Sequence, residues 1–370
     1  MYRMDFLKVG LAMGALFAAH RGAAAEKLAT PTGNLPRRPL GKTGLMCSTV
    51  GFGGVAAMKL STEQTVEAIT SALELGINYV DVAPSYGDAE KKLGIALEGR
   101  RNRVHLACKT LQRTAEGAQR ELDQSLQLLK TDRLDVYQFH ALDTREELDA
   151  ILGKGGAMET FLKARDAGVI RFIGVTGHDP AVQAEFLRRF PLDTLMAPVD
   201  FIDRFYLNTE VGLMPLALSK GVGILAIKST MRGQVKDKRT AYRYTLSLPV
   251  TLTLPAGDWE EIQFAVDVAR RLEPMTEAEW MDIVQHHPEL GRIVCRQCGY
   301  CARCPEGIDV PLVFRIDGFG RRYRANLARQ WYAALPRKVD SCSRCMLCEK
   351  VCPFDIQIID QLAEIHKRYS

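Results

Sequence analysis

This sequence has few histidines, little net charge and no extended apolar stretch. Seven histidines among 370 residues are too few to make a histidine-built metal site the default expectation. The net charge of +5 is small, so it indicates no nucleic acid or other strongly charged partner. No segment reaches the roughly 20 apolar residues that a membrane-spanning helix needs, so we expect no transmembrane span.

The rest of the composition is typical of a soluble globular protein, with 47% hydrophobic and 25% charged residues. The length exceeds the usual range of one domain, so we expect a large domain and a smaller one. Cysteine is distributed unevenly: Cys47 and Cys108 lie far upstream, whereas the other eight fall between Cys295 and Cys352. We therefore predict a large domain over residues 38–290 and a metal-binding domain over residues 291–370.

Residues 1–25 resemble an export leader rather than part of a fold. They have a charged start, an apolar run from Val9 to Ala19 and the small residues Ala23–Ala25 as a cleavage site. The segment RMDFLK is similar to the twin-arginine export motif, although Met4 stands in place of the second arginine. We predict a twin-arginine-like leader over 1–25, a linker over 26–37 and a periplasmic protein. The alternative is a cytoplasmic protein with a disordered or membrane-touching leader.

From residue 46 to residue 270, short β-type runs alternate with amphipathic helical stretches. In residues 62–76, for example, Val66, Ile69 and Leu73 recur at helical spacing. Eight strands that alternate with helices predict a parallel sheet, and eight strands close a barrel. The predicted strands are Met46–Val55, Asn78–Pro84, Val104–Thr110, Leu134–His140, Phe172–His178, Thr194–Asp200, Val222–Thr230 and Val250–Gly257.

The predicted fold class is therefore α/β, a (β/α)8 TIM barrel. The alternative, an open doubly wound sheet, requires a glycine-rich phosphate-binding fingerprint after its first strand. The stretch GFGGVAA at 51–57 is rich in glycine but lacks the spacing and the acidic residue of that fingerprint. In a barrel, functional residues gather at the carboxyl ends of the strands.

Four polar residues follow or end three consecutive predicted strands. Asp81 lies in the second strand and Tyr86 in the loop after it, while Lys109 ends the third strand and His140 ends the fourth. A lysine ammonium next to a phenol stabilises the phenolate, which makes the phenol a better proton donor. The set therefore predicts proton donation by Tyr86 to a carbonyl oxygen, with His140 orienting that carbonyl. Alternatively, Asp81 satisfies backbone N–H groups and Lys109 is only its ion-pair partner.

At these residues the sequence resembles the aldo-keto reductases. The blocks RPLGKTGLMCSTVGFGG, GINYVDVAPSYGDAEKKLG, HLACKT and DVYQFH are similar to the family's successive signatures, over residues 38 to about 273. The resemblance implies a nicotinamide-dependent oxidoreductase that acts on a small carbonyl or alcohol. It also implies that Asp81, Tyr86, Lys109 and His140 form the catalytic tetrad.

The resemblance implies a cofactor, NADP or NAD, along the same rim of the barrel. After the sixth strand, however, residues 196–200 read MAPVD, so the family's glutamine and tyrosine are missing. The last loop lacks lysine and arginine between Tyr244 and Ala269, and its acidic GDWEE is the pattern expected for NAD. The residues that we assign to cofactor binding are Gly53, Gly54, Asp81, Thr176, Gly177, Lys228, Ser229 and Gly257.

A basic run after the seventh predicted strand leaves the choice between NAD and NADP open. It either provides charge for a 2′-phosphate from another side or forms a solvated loop. Its members are Lys228, Arg232, Lys236, Lys238 and Arg239.

Two cysteine runs predict two [4Fe–4S] clusters. The second, CSRCMLCEKVCP, has the C-x₂-C-x₂-C-x₃-C-P spacing of two-cluster ferredoxins, and the first, CRQCGYCARCP, is one residue shorter before its last cysteine. In such domains the fourth cysteine of each run reaches the other cluster. One cluster is then held by Cys295, Cys298, Cys301 and Cys352, and the other by Cys342, Cys345, Cys348 and Cys304.

Zinc is the alternative metal for these runs, since CxxC pairs also form Cys₄ zinc sites. Cys47 and Cys108 are most simply buried thiols in barrel strands. The segment between the runs looks helical, which predicts a small, mainly helical ferredoxin-like domain. Its arginines either dock an acidic one-electron carrier or form a solvated helix face; they are Arg315, Arg321, Arg322, Arg324 and Arg329.

Two hypotheses follow from these motifs. The first is an oxidoreductase that moves hydride between a nicotinamide and a small carbonyl or alcohol, with clusters for electron transfer. The second is a non-catalytic electron-transfer or binding protein that uses the barrel as a scaffold. Hydride carries two electrons and each cluster takes one, so either a partner mediates between them or the clusters are structural.

Overall fold

The computed structural model describes residues 35–370. The predicted leader and residues 26–34 of the predicted linker lie outside this part of the chain. Within residues 35–370, no helix is long and apolar enough to cross a membrane.

Eight parallel strands form the barrel that the sequence predicts. They pair in chain order, and the first and last strands meet where Val50 bridges Thr253, so the sheet closes on itself. The bridge is completed by hydrogen bonds from Gly51 N to Thr253 O (3.0 Å) and from Thr253 N to Thr49 O (3.0 Å). The strands are β3 (Phe52–Gly53), β4 (Tyr79–Asp81), β5 (His105–Thr110), β6 (Leu134–Phe139), β7 (Ile170–Thr176), β8 (Thr194–Pro198), β9 (Gly223–Ile227) and β10 (Leu252–Leu254).

Helices follow the strands and cover the outside of the barrel. The first begins at a capping box in which Ser61 and Gln64 exchange hydrogen bonds, and it buries Ile69 and Leu73 as the periodicity predicts. The helices of this part of the chain are α1 (Thr62–Glu74), α2 (Ala89–Ala96), α3 (Ala115–Leu128), α4 (Arg145–Leu152), α5 (Ala157–Asp166), α6 (Pro180–Arg189), α7 (Met214–Ser219), α8 (Lys238–Ser247), α9 (Trp259–Arg270) and α10 (Glu277–Gln285).

The first predicted strand was wrong in its extent. Residues 46–55 do not form one strand: β2 (Met46–Ser48) pairs antiparallel with β1 (Arg37–Pro39), and only Phe52–Gly53 joins the barrel. The Asn78 side chain separates the two pieces because its Oδ1 accepts from Ser48 N (2.7 Å) and its Nδ2 donates to Met46 O (2.8 Å). The hairpin also takes in the end of the predicted linker, since Arg37 pairs with Ser48 and Leu35 is buried.

Apolar side chains fill the inside of the barrel and the layer between its strands and helices. Cys47 is fully buried in the inner cluster, beside residues of the hairpin and of the strands, and Cys108 is fully buried on the helix side of β5. Both cysteines are therefore buried thiols, as predicted, although Cys47 belongs to the hairpin rather than to a barrel strand.

The C-terminal domain is small and mainly helical, as predicted. It has a core of its own, in which Phe314, Phe319 and Leu362 are buried. Near its start, Gly318 packs against the ring of Tyr206 from the barrel, and a Cβ atom there would lie 2.3 Å from the ring. Only glycine therefore permits this contact. The helices are α11 (Val310–Arg322), α12 (Ala325–Ala333), α13 (Leu347–Lys350) and α14 (Ile358–Tyr369).

Candidate functional site

Asp81 and Lys109 form a buried ion pair at the carboxyl end of the barrel. Parallel pairing of β4 with β5 sets Asp81 opposite Ala107, two residues before Lys109, so both side chains point to the same place. They are 3% and 1% exposed, and Lys109 Nζ donates to Asp81 Oδ1. The same nitrogen donates to Val82 O (3.1 Å) and to Tyr86 Oη (3.3 Å). Three of the four predicted catalytic residues therefore meet at one nitrogen.

The electrostatics of this group keep the lysine charged. Burial by itself lowers the pKa of Lys109, but the attraction of Asp81 and Tyr86 outweighs it, so the pKa lies above its ordinary value. An ammonium donates protons only, so its hydrogen bond to Tyr86 ends on the phenol oxygen. That geometry stabilises a negative charge on this oxygen.

Gln138 supports the pair and was missed by the sequence analysis. Its Nε2 donates to Asp81 Oδ2 (3.0 Å), so both carboxylate oxygens have a donor. Lys109 lies opposite Gln138 in the pairing of β5 with β6. The signal was present in the block DVYQFH: Gln138 precedes His140 by two residues, and alternate residues of a strand share a face.

His140, the fourth predicted residue, stands with its ring edge-on to Tyr86, 5.8 Å between centres and at 88°. Its Nδ1 lies 3.5 Å from Ser85 Oγ. Burial, with the nearby Lys109 ammonium, lowers the pKa of His140 to about 3, so its imidazole is neutral near pH 7. The guanidinium of Arg113, which sequence reasoning did not single out, donates to His140 O (2.8 Å) and fixes the main chain there.

The predicted cofactor residues at the first two strands lie beside the tetrad. Gly53 pairs with Asp81, and Gly54 N donates to Asp81 O (2.6 Å). A Cβ atom at Gly53 would lie 2.6 Å from Pro255 O, so the closeness of neighbouring backbone requires glycine there. These glycines thus have a packing reason in addition to any contact with a cofactor.

The other predicted cofactor residues lie at the ends of β7, β9 and β10. Thr176 Oγ1 accepts from Ala141 N (3.1 Å), and a Cβ atom at Gly177 would lie 2.3 Å from Leu142 O. Lys228 has a left-handed backbone, with a φ of 61°, and Ser229 Oγ lies 2.8 Å from Thr253 Oγ1. All eight assigned residues therefore lie at or just after the carboxyl ends of barrel strands.

An acidic residue occupies the end of this rim at β10. The Glu261 carboxylate lies against Gly257, where a Cβ atom would be 2.2 Å from Glu261 Oε2. Thr230 and Tyr242 both donate to Glu261, at 2.6 and 2.8 Å, and Lys238 lies 3.9 Å away. A member of the predicted basic run is thus paired with this carboxylate.

The eight C-terminal cysteines line two cavities, and each run contributes to both. Cys295, Cys298, Cys301 and Cys352 line the first, with walls that include Phe314, Phe354 and Ile356. The second is lined by Cys304 and three residues of the other run, and Cys298 and Cys301 border it. Those three are Cys342, Cys345 and Cys348. None of the ten cysteines forms a disulfide.

The backbone of both cysteine runs has the same unusual turn. The residues before and after the second cysteine are left-handed, Gln297 and Gly299 in the first run and Arg344 and Met346 in the second, with φ between 55° and 80°. For residues other than glycine this conformation costs roughly 1–2 kcal/mol each. Arg344 N donates to Cys342 Sγ (3.4 Å), so the turn directs a backbone N–H at sulfur. Two runs of different sequence thus share one backbone conformation around their second cysteine.

The donor set suits a cluster better than a single ion. Within residues 35–370, no three His, Cys, Asp or Glu side chains converge closely enough to hold one metal ion. An iron–sulfur cubane is larger than an ion, and its ligand sulfurs stand further apart. Soft thiolates around largely apolar cavities fit such a group.

A second set of rim residues was not predicted. The Asp143 carboxylate accepts from the backbone N–H of His178, lies 3.0 Å from His178 Nδ1, and pairs with Arg324 of the C-terminal domain at 3.3 Å. Burial opposes the charge, but His178 and Arg324 outweigh it and lower the pKa of Asp143 to about 2. No sequence signal links Asp143 to Arg324, because 181 positions separate them.

Comparison with known proteins agrees with this geometry. The family described as "Aldo/keto reductase family" matches residues 49–251, and the family described as "4Fe-4S dicluster domain" matches residues 294–357.

Relatives with curated descriptions match little more than half of the chain. The uncharacterized oxidoreductase YqkF of Bacillus subtilis is 31% identical over 218 residues, 55% of this chain and 67% of that protein. L-galactose dehydrogenase of Arabidopsis thaliana is 30% identical over 218 residues, 54% of this chain and 67% of that protein. Among solved structures, the holo form of an aldo-keto reductase from Bacillus halodurans is 25% identical, with a TM-score of 0.59, and covers 68% of this chain and 95% of its own. The chain therefore belongs to the aldo/keto reductase family of oxidoreductases, with a 4Fe–4S dicluster domain at its C-terminal side.

Proposed function

We propose that this oxidoreductase uses Tyr86 to transfer a proton while hydride moves between NAD(H) and a small carbonyl or alcohol. The observation that carries the proposal is the 3.3 Å contact between Lys109 Nζ and Tyr86 Oη, made by an ammonium that a buried carboxylate holds in place. A structural ion pair needs no third contact of this kind with a phenol at the rim.

In the proposed reaction a bound reduced nicotinamide supplies the hydride. Tyr86 donates its phenolic proton to the carbonyl oxygen, and the Lys109 ammonium stabilises the phenolate that remains. Asp81, held by Gln138, fixes the ammonium. His140 is neutral, so it orients the carbonyl oxygen by a hydrogen bond without adding a charge. In the reverse direction, the Tyr86 phenolate accepts the proton of the alcohol.

We propose NAD rather than NADP as the preferred cofactor. Glu261 lies at the end of the rim where the ribose of a dinucleotide would lie, and carboxylates there disfavour a 2′-phosphate. Of the basic run, Lys238 pairs with Glu261 and Arg239 with Asp267 (3.5 Å), so part of its charge is already neutralised. The cofactor residues are the eight at the strand ends named above.

A small carbonyl or alcohol is the proposed substrate class. The names of two relatives belong to that class, L-galactose dehydrogenase of Arabidopsis thaliana and methylglyoxal reductase of Escherichia coli; the second is 40% identical over 93 residues, 24% of this chain and 32% of that protein. We propose domain boundaries at 38–290 and 291–370. The leader over residues 1–25 and a periplasmic location stay predictions.

We propose that the C-terminal domain holds two [4Fe–4S] clusters, ligated crosswise by the two cysteine runs. The cavity of Cys295 is enclosed by apolar side chains, whereas Cys345 is exposed and flanked by the exposed Met346 and Leu347. The second cluster is therefore the one that a one-electron carrier can approach.

The test is a titration of anaerobically purified protein with NADH and with NADPH, followed by turnover of small aldehydes. NADH should bind at least about tenfold more tightly than NADPH, which corresponds to roughly 1.4 kcal/mol. Lys109→Met should abolish most turnover, and Lys130→Met, which removes a half-exposed lysine paired with Glu98, should not. If the protein binds neither nucleotide, the proposed function is wrong and the hypothesis of a non-catalytic scaffold is favoured.

A further inference from the structure

A three-residue corner of the cluster domain lies on the rim of the barrel. Residues 322–324 join α11 to α12, and we call them the corner. The ring of Tyr323 stacks on the imidazole of His178, 5.0 Å between centres and at 26°. Lys228 Nζ lies 4.4 Å from the centre of the same ring, and the Tyr323 hydroxyl donates to Asp203 Oδ2. The ring is thus enclosed by residues that follow β7, β8 and β9.

The two arginines that flank Tyr323 fix the corner to buried carboxylates. Arg322 Nε lies 3.5 Å from Asp203 Oδ1, and its guanidinium lies 4.2 Å from the centre of the Tyr206 ring. Arg324 pairs with Asp143 at 3.3 Å and with Glu147 at 3.8 Å. Asp143 follows β6, so the corner contacts the loops after four consecutive strands.

These contacts lie on the rim of the barrel that the proposed reaction uses. A carbonyl oxygen that Tyr86 protonates lies near the ends of β4 to β6, and the hydride donor has to lie against the same carbonyl. Two of the assigned cofactor residues lie further round the same rim: Gly177, next to His178, follows β7, and Lys228 follows β9. The Tyr323 ring contacts the imidazole that follows Gly177 and the ammonium of Lys228.

We infer that Tyr323 occupies the space which the nicotinamide ring requires, so that the corner has to leave the rim before the dinucleotide binds. This inference rests on the proposed function and adds a residue of the cluster domain that determines cofactor affinity. The dinucleotide can replace each contact that Tyr323 gives up. An incoming flat ring can take the place of the phenol on His178, and Lys228 can leave the phenol for the pyrophosphate, a stronger partner for an ammonium.

The corner also connects the rim to the first cysteine cavity. Helix α11 begins at Val310 and ends at Arg322, and Val310 and Phe314 line the cavity of Cys295 and Cys352. One helix therefore has its first turns at the proposed cluster and its last residue at the rim. Displacement of the corner changes the end of that helix.

The experiment measures NADH affinity by fluorescence titration of the full chain under anaerobic conditions. It compares the wild type with Tyr323→Phe and Tyr323→Ala. If the corner closes the site in nine of every ten molecules, only one in ten can bind NADH. Removal of the corner then tightens the apparent affinity about tenfold. Tyr323→Ala should therefore bind NADH about tenfold more tightly than the wild type. Tyr323→Phe should lie between them, because it keeps the ring and loses the bond to Asp203. Iron content and the visible spectrum should be unchanged.

A second pair of variants keeps the test open if Tyr323→Ala fails to fold. Arg324→Ala removes the contacts with Asp143 and Glu147 and should also tighten NADH binding. The matched control is Arg329→Ala in α12, which removes an exposed guanidinium that donates to Arg368 O (3.4 Å). In wild-type protein, saturating NADH should speed amide hydrogen exchange in residues 318–328.

The outcomes separate the two claims. Equal, measurable NADH affinity in all variants overturns the role of Tyr323 and leaves the proposed function intact. Weaker binding by Tyr323→Ala also overturns it, because the ring would then support the nucleotide rather than exclude it. Absence of NADH binding in the wild type and in every variant overturns the proposed function itself, and the exclusion of a nicotinamide with it.

Discussion

The ammonium of Lys109 lies 3.3 Å from the phenol oxygen of Tyr86 while it is paired with the buried carboxylate of Asp81. This relationship gives one tyrosine of the barrel a cation directed at its oxygen and a rigid support for that cation. Together with the neutral state of His140 and the arrangement of the cysteines, it determines how single substitutions should act.

Replacement of Tyr86 by phenylalanine removes the proposed proton donor and little else. General acid catalysis contributes about 10²- to 10⁴-fold to rate, so we expect kcat to fall by that amount while NADH affinity stays within about threefold, equivalent to roughly 0.7 kcal/mol. Steady-state kinetics and nucleotide titration check both quantities.

Tyr79→Phe is the matched control for that variant. Tyr79 lies in β4, is fully buried, and its hydroxyl has no hydrogen-bond partner among residues 35–370. Removal of an unsatisfied buried hydroxyl should be neutral or stabilising. If Tyr79→Phe lowers kcat as strongly as Tyr86→Phe does, the assignment of the proton donor is wrong.

Loss of the Gln138 amide should weaken the support of Asp81. A hydrogen bond to a charged group contributes about 1.5–3 kcal/mol, so Gln138→Met should lower the thermal unfolding midpoint by several degrees and reduce kcat. Gln124→Met, on the exposed face of α3, is the control and should change neither quantity. If kcat is unchanged in Gln138→Met, the Asp81 carboxylate holds Lys109 in place without the hydrogen bond from Gln138.

His140 should not titrate near neutrality. Its pKa is about 3 in the folded chain and about 6.5 when unfolded, so between these values the unfolded chain takes up a proton that the folded chain does not. His140 therefore lowers stability as pH falls from 6.5 towards 3 and has no such effect above 6.5. Between pH 5 and 8, the wild type and His140→Gln should therefore show the same ionisations in their pH profiles of kcat.

The crosswise ligation predicts how cysteine variants combine. Cys352→Ser should remove or alter the cluster that Cys298 also holds, so Cys352→Ser with Cys298→Ala should lose no more iron than Cys298→Ala alone. Cys352→Ser with Cys345→Ala should affect both clusters. Cys47→Ala, which removes the buried thiol of the hairpin, is the control and should keep all its iron. If Cys352 pairs functionally with Cys345 instead, each run holds its own cluster.

The sequence predicted the features whose signals are local. Eight strand patterns predicted the closed sheet, and Asp81, Lys109 and His140 were predicted at strand ends because parallel strands end at one rim. The extent of the first strand was wrong because a side-chain contact between Asn78 and Ser48, thirty residues apart, divides it.

Contacts between distant segments were beyond such reasoning. In the sequence, Arg322 and Arg324 were recognisable only as members of a basic helix. That helix was predicted either to dock an acidic electron carrier or to face solvent. In the structure both arginines pair with buried carboxylates of the barrel, Asp203 and Asp143. Tyr323 gave no signal at all, since nothing in the residues around it indicates a neighbour as far along the chain as His178.

The most direct test of the account follows NADH oxidation at 340 nm by the anaerobic protein with a panel of small aldehydes and ketones. Wild type and Tyr86→Phe are compared at equal iron content. The account predicts turnover by the wild type with at least one carbonyl compound and a loss of about 10²-fold or more in the variant. Equal rates for the two proteins would contradict it.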